Sequence, residues 1–164
     1  MSDARWLTAR EERAWRGYTR MQAQLSARLH RNLLRSTGLS LPDYEVLVHL
    51  SEAPEGRLRS FQLSAALQWE KSRLSHHLTR MEGRGLVSRQ ECRTDGRGAF
   101  VVISPSGRAA IEAAAPTHVA DVRDAVIDVL TPEQLDALHE ISQAVLQRLS
   151  AADDAADAAQ PDRT

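Results

Sequence analysis

The sequence predicts a mainly α-helical fold carrying one small β-hairpin, and three observations predict it. Apolar residues recur at steps of three or four along most of the 164 positions. Ser or Thr with an acid or amide three residues on opens two of these stretches, at Ser40 and Thr131. The helical period is replaced only once, between Leu86 and Ser104, by alternating and β-branched residues around the turn-forming run Thr94-Asp95-Gly96-Arg97-Gly98. Composition agrees, since 42% hydrophobic with only 4% aromatic residues suits packed helices better than a β-sandwich.

The elements follow in order. Residues 4–36 place Trp15, Tyr18, Met21, Leu25, Leu29 and Leu33 at helical spacing, and Thr37-Gly38 supplies the stop. This helix exceeds the usual three turns, so it is expected to pack on something besides its own domain. Ser40 caps a second helix with Asp43 as capping-box partner and Pro42 in the first turn, and Tyr44, Leu47, Val48 and Leu50 form its buried stripe. Ala53-Pro54-Glu55-Gly56 ends it. Ser60 is expected to cap a third helix bearing Leu63, Ala66 and Leu67. Gln68-Trp69-Glu70 connects it to a fourth over 71–83, ending near Gly83 or Gly85. After the hairpin, Ser104-Pro105 starts a fifth helix that Pro116 should kink or break. Thr131-Pro132-Glu133-Gln134 opens a sixth with the stripe Leu135, Leu138, Ile141, Val145 and Leu149. The stretch 151–164 alternates Ala with Asp and is expected to be a disordered acidic tail.

Several function classes are excluded. No run of 18 apolar residues exists, so no membrane partner is expected, and Asp3, Glu11 and Glu12 among the arginines argue against a secretory leader. A cytoplasmic protein is the simplest expectation. Cys92 is the only cysteine, which removes intrachain disulfides and cysteine metal clusters. None of the six histidines (His30, His49, His76, His77, His118, His139) pairs at the spacing of a helical zinc site, and no phosphate loop or nucleophile elbow is present. Neither catalysis, a cofactor nor a metal is expected.

The net charge of −1 hides a strong segregation. Residues 57–107 carry +5, residues 1–56 carry +1 and residues 108–164 carry −7. A nucleic-acid surface within a nearly neutral chain has this form. The basic segment contains two short helices, a tight connection and then the hairpin, which is the order of a winged helix-turn-helix. In projection, Leu74, Leu78 and Met81 share the inner face of helix 71–83. Ser72, Ser75, His76 and Thr79 lie opposite, beside Lys71, with Arg73 and Arg80 on a flank. No Asp or Glu occurs before Glu82. A helix entering the major groove must avoid carboxylates, which phosphates repel, and needs such donors to reach base edges. Arg93 and Arg97 flank the hairpin tip, where Asp95 can orient a guanidinium for the minor groove.

The run "LSAALQWEKSRLSHHLTRMEGRGLVSRQECRTDGRGAFVVISPSGR" (63–108) resembles the DNA-binding core of the MarR family of bacterial regulators. The similarity rests on "RMEGRGLV" after the recognition helix, "DGR" at the wing tip and "ISPSGR" at the next helix. The long first helix and "LTPEQLDAL" extend it over about 5–149. Met81 departs mildly from the commoner Leu, and the His76-His77 pair leaves the preferred bases open. The resemblance implies a single domain over 1–150, with a winged helix-turn-helix at about 57–104 and dimerisation helices at about 4–36 and 105–149. It implies a homodimeric repressor on a pseudo-palindromic operator in double-stranded DNA, with 71–83 as recognition helix and Arg97 as the wing arginine held by Asp95. It also implies release by a small aromatic or anionic inducer, for which Trp15, Tyr18, Arg16, Arg20 and His118 are the candidate pocket. Two alternatives stand beside it: a redox-responsive repressor acting through Cys92, and a winged-helix module for protein contacts without DNA binding. Peroxide sensors of the family carry their reactive cysteine near the start of the first helix, where this chain has none.

Overall fold

The computed structural model describes residues 5–90 and 99–158. Its elements are α1 (Ala9–Thr37), α2 (Leu41–Glu52), a 3-10 turn (Pro54–Gly56), β1 (Arg57–Arg59), α3 (Ser60–Leu67), α4 (Lys71–Gly83), β2 (Val87–Gln90), β3 (Phe100–Ile103), α5 (Pro105–Ala125), a second 3-10 turn (Ile127–Val129) and α6 (Pro132–Ala158). The chain divides into two compact units, residues 1–121 and 122–164, with the boundary inside α5.

Local chemistry sets the helix ends in the first unit. Thr8 and Glu11 form a capping box at the start of α1, and Gly38 closes it at φ 73°, its N–H donating to the Leu34 carbonyl. Ser40 and Asp43 bond each other's backbone N–H at the start of α2, as expected. At α3 the expected cap is displaced by one residue. Arg59 is the N-cap, its N–H donating to Gln62 Oε1 at 3.0 Å, while the Ser60 hydroxyl donates to the Ala99 carbonyl. Ser60 thus secures the helix to the sheet side of the domain.

The sheet holds three strands rather than the expected two, in the order β1-β3-β2, all antiparallel. β1 pairs Leu58 with Val101, and β2 pairs Val87 with Ile103. Arg57-Leu58-Arg59 lacks β-branched residues and is too short to show a period, so only its pairing reveals it. Val101 and Ile103 alternate into a core made by Leu33, Leu39, Val46, Leu47, Leu50, Leu63, Trp69, Leu74, Leu78, Met81, Leu86 and Ile111. Tyr44 and Val48 pack at its edge, and Val46, outside the expected stripe of α2, is fully buried.

Ser104 ties the end of the helix-turn-helix to α5. Its hydroxyl donates to the Gly85 carbonyl and accepts from Gly107 N–H, while its own N–H donates to the Leu86 carbonyl. The backbones approach so closely that a Cβ on Gly107 would stand 2.0 Å from the Leu86 oxygen. Of the kink or break expected at Pro116, the break does not occur, since α5 continues through it. Pro116 and Glu112 both lie exposed, so water can satisfy the Glu112 carbonyl that loses its partner.

In the second unit, Thr131 and Gln134 form the expected box at α6, the Thr131 N–H donating to Gln134 Oε1 at 2.9 Å. The helix does not stop at 149. It runs on to Ala158, which replaces the expected disorder of 151–158, since alanine has the highest helix propensity of any residue. The remaining tail, 159–164, lies outside the described residues, as do Cys92, Arg93, Asp95 and Arg97.

Gly107→Ala is expected to destabilise the protein by about 2–3 kcal/mol through overpacking against a backbone carbonyl. Gly83→Ala, with nothing near the added methyl, should be neutral or gain about 0.5–1 kcal/mol. Urea unfolding of both variants checks the contrast, and equal midpoints would refute the close-approach explanation.

Candidate nucleic-acid interface

Helix α4 sorts its residues as a groove-entering helix would. Leu74, His77, Leu78 and Met81 are buried, whereas Lys71, Ser72, Arg73, Ser75, His76, Thr79 and Arg80 are all exposed. The seven residues chosen from the sequence therefore share one solvent face on one helix. Glu82, the first acid, is turned aside by Arg89 of β2, which pairs with its carboxylate through Nη1 and through its backbone N–H.

Arg89 has a second role that the sequence did not reveal. Its Nη2 donates to the Ser75 carbonyl at 2.7 Å and to Thr79 Oγ1 at 3.1 Å. The Thr79 hydroxyl donates in turn to the Ser75 carbonyl. Thr79 is thus already engaged on two sides and is a poorer base reader than its exposure suggests. Ser72, Ser75 Oγ and His76 face solvent on the same surface.

The arginines of α4 are supported from below. The Arg73 guanidinium lies 4.2 Å above the Trp69 ring, and Arg80 Nη2 lies 3.0 Å from His77 Nδ1. Two more arginines, Arg57 and Arg59, each lie 5.0 Å from the centre of the Phe100 ring on β3.

Beneath α4 is a buried polar cluster. Asp43, only 3% exposed, receives Arg84 Nη1 at 2.6 Å and Ser40 N–H at 2.9 Å on Oδ2, while His77 Nε2 lies 3.0 Å from Oδ1. That last contact has hydrogen-bond length but an oblique N–H direction. Arg84 Nη2 also donates to the Gly38 carbonyl. Burial alone would raise the Asp43 pKa; the surrounding donors from His77, Ser40 and Arg84 overcome it and hold the carboxyl well below its usual range. The sequence identified Asp43 only as a cap. Its signal for more was a histidine at an inward helix position, since 74, 77, 78 and 81 form one buried stripe.

The candidate ligand residues are not brought together. Trp15 and Tyr18 stack at 5.8 Å on α1, both at least half exposed, and Arg16 pairs with Glu12. Arg20 is exposed on the same helix. His118 instead packs its ring 4.4 Å from Tyr44 of α2, beside the Asn32–Asp121 hydrogen bond that joins α1 to α5. Seventeen residues separate Trp15 from Asn32, about 25 Å along a helix, so one protomer cannot close a pocket from both groups. Burial lowers the His118 pKa against the opposing pull of Asp121, and its Nδ1 has no partner among the described residues. No group of three metal-ligating side chains occurs among the described residues, and no helix there is long and apolar enough to cross a membrane.

These features define a winged helix-turn-helix protein: two short helices, a connection anchored by the buried Trp69, and an antiparallel sheet in which β2 and β3 lie on either side of residues 91–98. A family model described as the MarR family matches residues 37–98. AbsC, a MarR family transcriptional regulator from Streptomyces coelicolor, is similar at 40% identity and a TM-score of 0.85, covering 90% of this chain and 99% of its own. Sco3205 from the same organism, a MarR family regulator solved in complex with DNA, is similar at 41% identity and a TM-score of 0.84, covering 88% and 94%. CouR from Rhodococcus jostii RHA1, solved bound to p-coumaroyl-CoA, shares the fold at 21% identity and a TM-score of 0.66, covering 77% and 87%. No curated protein sequence matches the chain. The chain belongs to the MarR family of transcriptional regulators.

The Asp43 cluster carries a pH prediction. A carboxyl held low in the folded state stabilises it fully above the unfolded value of about 3.9, and this contribution is lost as pH falls further toward the folded value. Wild-type stability should therefore decline below about pH 4, and Asp43→Asn, already lacking the contribution, should decline less steeply. Urea midpoints between pH 2 and 7 measure this; parallel pH profiles would refute it.

Proposed function

We propose that the protein is a homodimeric repressor that reads a pseudo-palindromic operator with α4 in the major groove. The observation that carries this is the exposed face of α4, seven polar or basic residues without a carboxylate, in a segment of net charge +5. The DNA complex of Sco3205, 41% identical over most of both chains, supports it. In this reading Lys71, Ser72, Arg73, Ser75, His76, Thr79 and Arg80 face the groove, while Arg93, Asp95 and Arg97 form the wing contact. A module for protein contacts alone has no need of such a face. Arg73→Ala should cost about 1–3 kcal/mol of operator binding and relax base choice. Arg97→Ala should weaken binding to all sequences and reduce the salt slope by about one. Mobility shifts on duplexes selected from random sequence test the division; selection altered by Arg97→Ala and not by Arg73→Ala would reverse it.

Assembly follows from apolar surface left open on the lone chain. Trp15, Tyr18 and Met21 on α1 are at least half exposed, as are Ile141, Val145, Leu146 and Leu149 on α6. A two-fold partner covering these faces would also set two recognition helices about one DNA turn apart. Deleting 132–164 should yield a monomer or aggregate with weak DNA binding; a truncated chain that sediments as a dimer and binds normally contradicts this. Release by a small aromatic or anionic ligand is supported by His118 Nδ1, which has no hydrogen-bond partner among the described residues and lies beside Tyr44. In the same mobility shift, His118→Ala should lose its response to aromatic acids that release the wild type, and an unchanged response would place the ligand elsewhere.

A further inference from the structure

Among the four buried side chains of α4, one is a histidine, and it makes contacts that an apolar residue could not replace. Its side chain is 8% exposed. The ring is enclosed by groups from three places: the Asp43 carboxylate of α2 at 3.0 Å from Nε2, the Arg80 guanidinium at 3.0 Å from Nδ1, and the Trp69 ring in edge contact at 5.3 Å and 87°. Donor chemistry settles the arrangement. A guanidinium only donates, so Nδ1 must accept, and the ring proton then sits on Nε2, on the side of the carboxylate but at an oblique angle to it. Asp43 thereby favours the tautomer that leaves Nδ1 free to receive Arg80.

The same ring supports the other arginine indirectly. Trp69, 8% exposed, meets His77 on one side and carries the Arg73 guanidinium on its face. Positions 73, 77 and 80 lie along one line of the helix, so Arg73 and Arg80 stand on either side of a buried imidazole. An arginine free in solvent must be immobilised when it meets DNA, whereas a tethered one has already lost that freedom.

We propose that His77 is a positioning residue for DNA recognition: held against Asp43, it fixes the Arg80 guanidinium and, through Trp69, steadies Arg73 before DNA arrives. The proposal rests on the reading of α4 as the recognition helix.

The test is a double-mutant cycle on a duplex selected by the wild-type protein from random sequence. His77→Leu should weaken binding about tenfold in the wild-type background but less than about twofold in Arg80→Ala, because the residue it positions is already gone. His77→Gln, which offers an amide donor to Asp43 and an amide oxygen to Arg80, should recover most of the affinity. An equal loss in both backgrounds would mean that His77 acts only on the fold, and the proposal fails. A second measurement needs no folded His77→Leu protein. In the free wild type, the Arg80 guanidinium should give separate, slowly exchanging NMR signals, assigned by their absence in Arg80→Ala. A single averaged signal overturns the tether. Unchanged DNA binding by Arg80→Ala overturns the proposal for that arginine, and unchanged binding by Arg73→Ala as well overturns α4 as the recognition helix, so the two failures are distinct.

Discussion

A carboxylate in an apolar interior is tolerated only where donors replace the water it has lost, and the DNA-binding half of this protein is organised around one such group. Asp43 accepts from the backbone that begins α2, from Arg84 just beyond α4, and lies against His77 in the middle of α4. Arg84 reaches on to Gly38, where α1 ends. Three helices are therefore referred to a single side chain. Hydrophobic contacts among Leu33, Leu47, Leu78 and Met81 supply most of the attraction between them, but such contacts are non-directional and would tolerate a helix turned by a few degrees. The polar cluster is less forgiving. The hydrogen bonds from Ser40 and Arg84 each have a preferred direction, and a carboxylate this buried that loses a donor keeps a charge that water cannot reach to solvate. Packing brings α4 to the domain, and Asp43 meets it at His77 and, just beyond its end, at Arg84.

Much of this was legible because helix starts are local. Thr131 with Gln134 and Ser40 with Asp43 satisfy orphan N–H groups within one turn, so the residues that do it are neighbours in sequence. The outer face of α4 was legible for a similar reason, since the 3.6-residue period alone separates Leu74, Leu78 and Met81 from Ser72, Ser75 and His76. What could not be read depends on partners far along the chain. Arg57-Leu58-Arg59 becomes a strand only because Val101 lies opposite Leu58. Arg89 looked like one basic residue among nine, and its hold on Ser75 and Thr79 arises from the return of β2 over α4. His77 sat in plain view at an inward position, but its meaning required Asp43, 34 residues earlier. The candidate ligand residues lie apart within one chain: those sharing a helix face with Trp15 were identifiable, whereas their separation from His118 is set by how α5 meets α1.

The short signatures that carried the family resemblance also acquire a physical meaning. "GRGLV" and "ISPSGR" are separated by the whole hairpin, yet Ser104 joins them, taking up the carbonyl of Gly85 and the backbone of Leu86 while capping α5. Gly107 then allows α5 to lie against that junction with no side chain between. The two motifs are halves of one joint.

The bridge from Arg89 to α4 has a mechanical consequence. Through one guanidinium, a strand leading to the wing is bonded to the carbonyl of Ser75, the hydroxyl of Thr79 and the carboxylate of Glu82. Strand and helix are braced as the two arms of a bracket, so bending one relative to the other would break several bonds at once. A bracket of this kind turns as a whole. A displacement of β2 is therefore carried to α4, and one of α4 to β2.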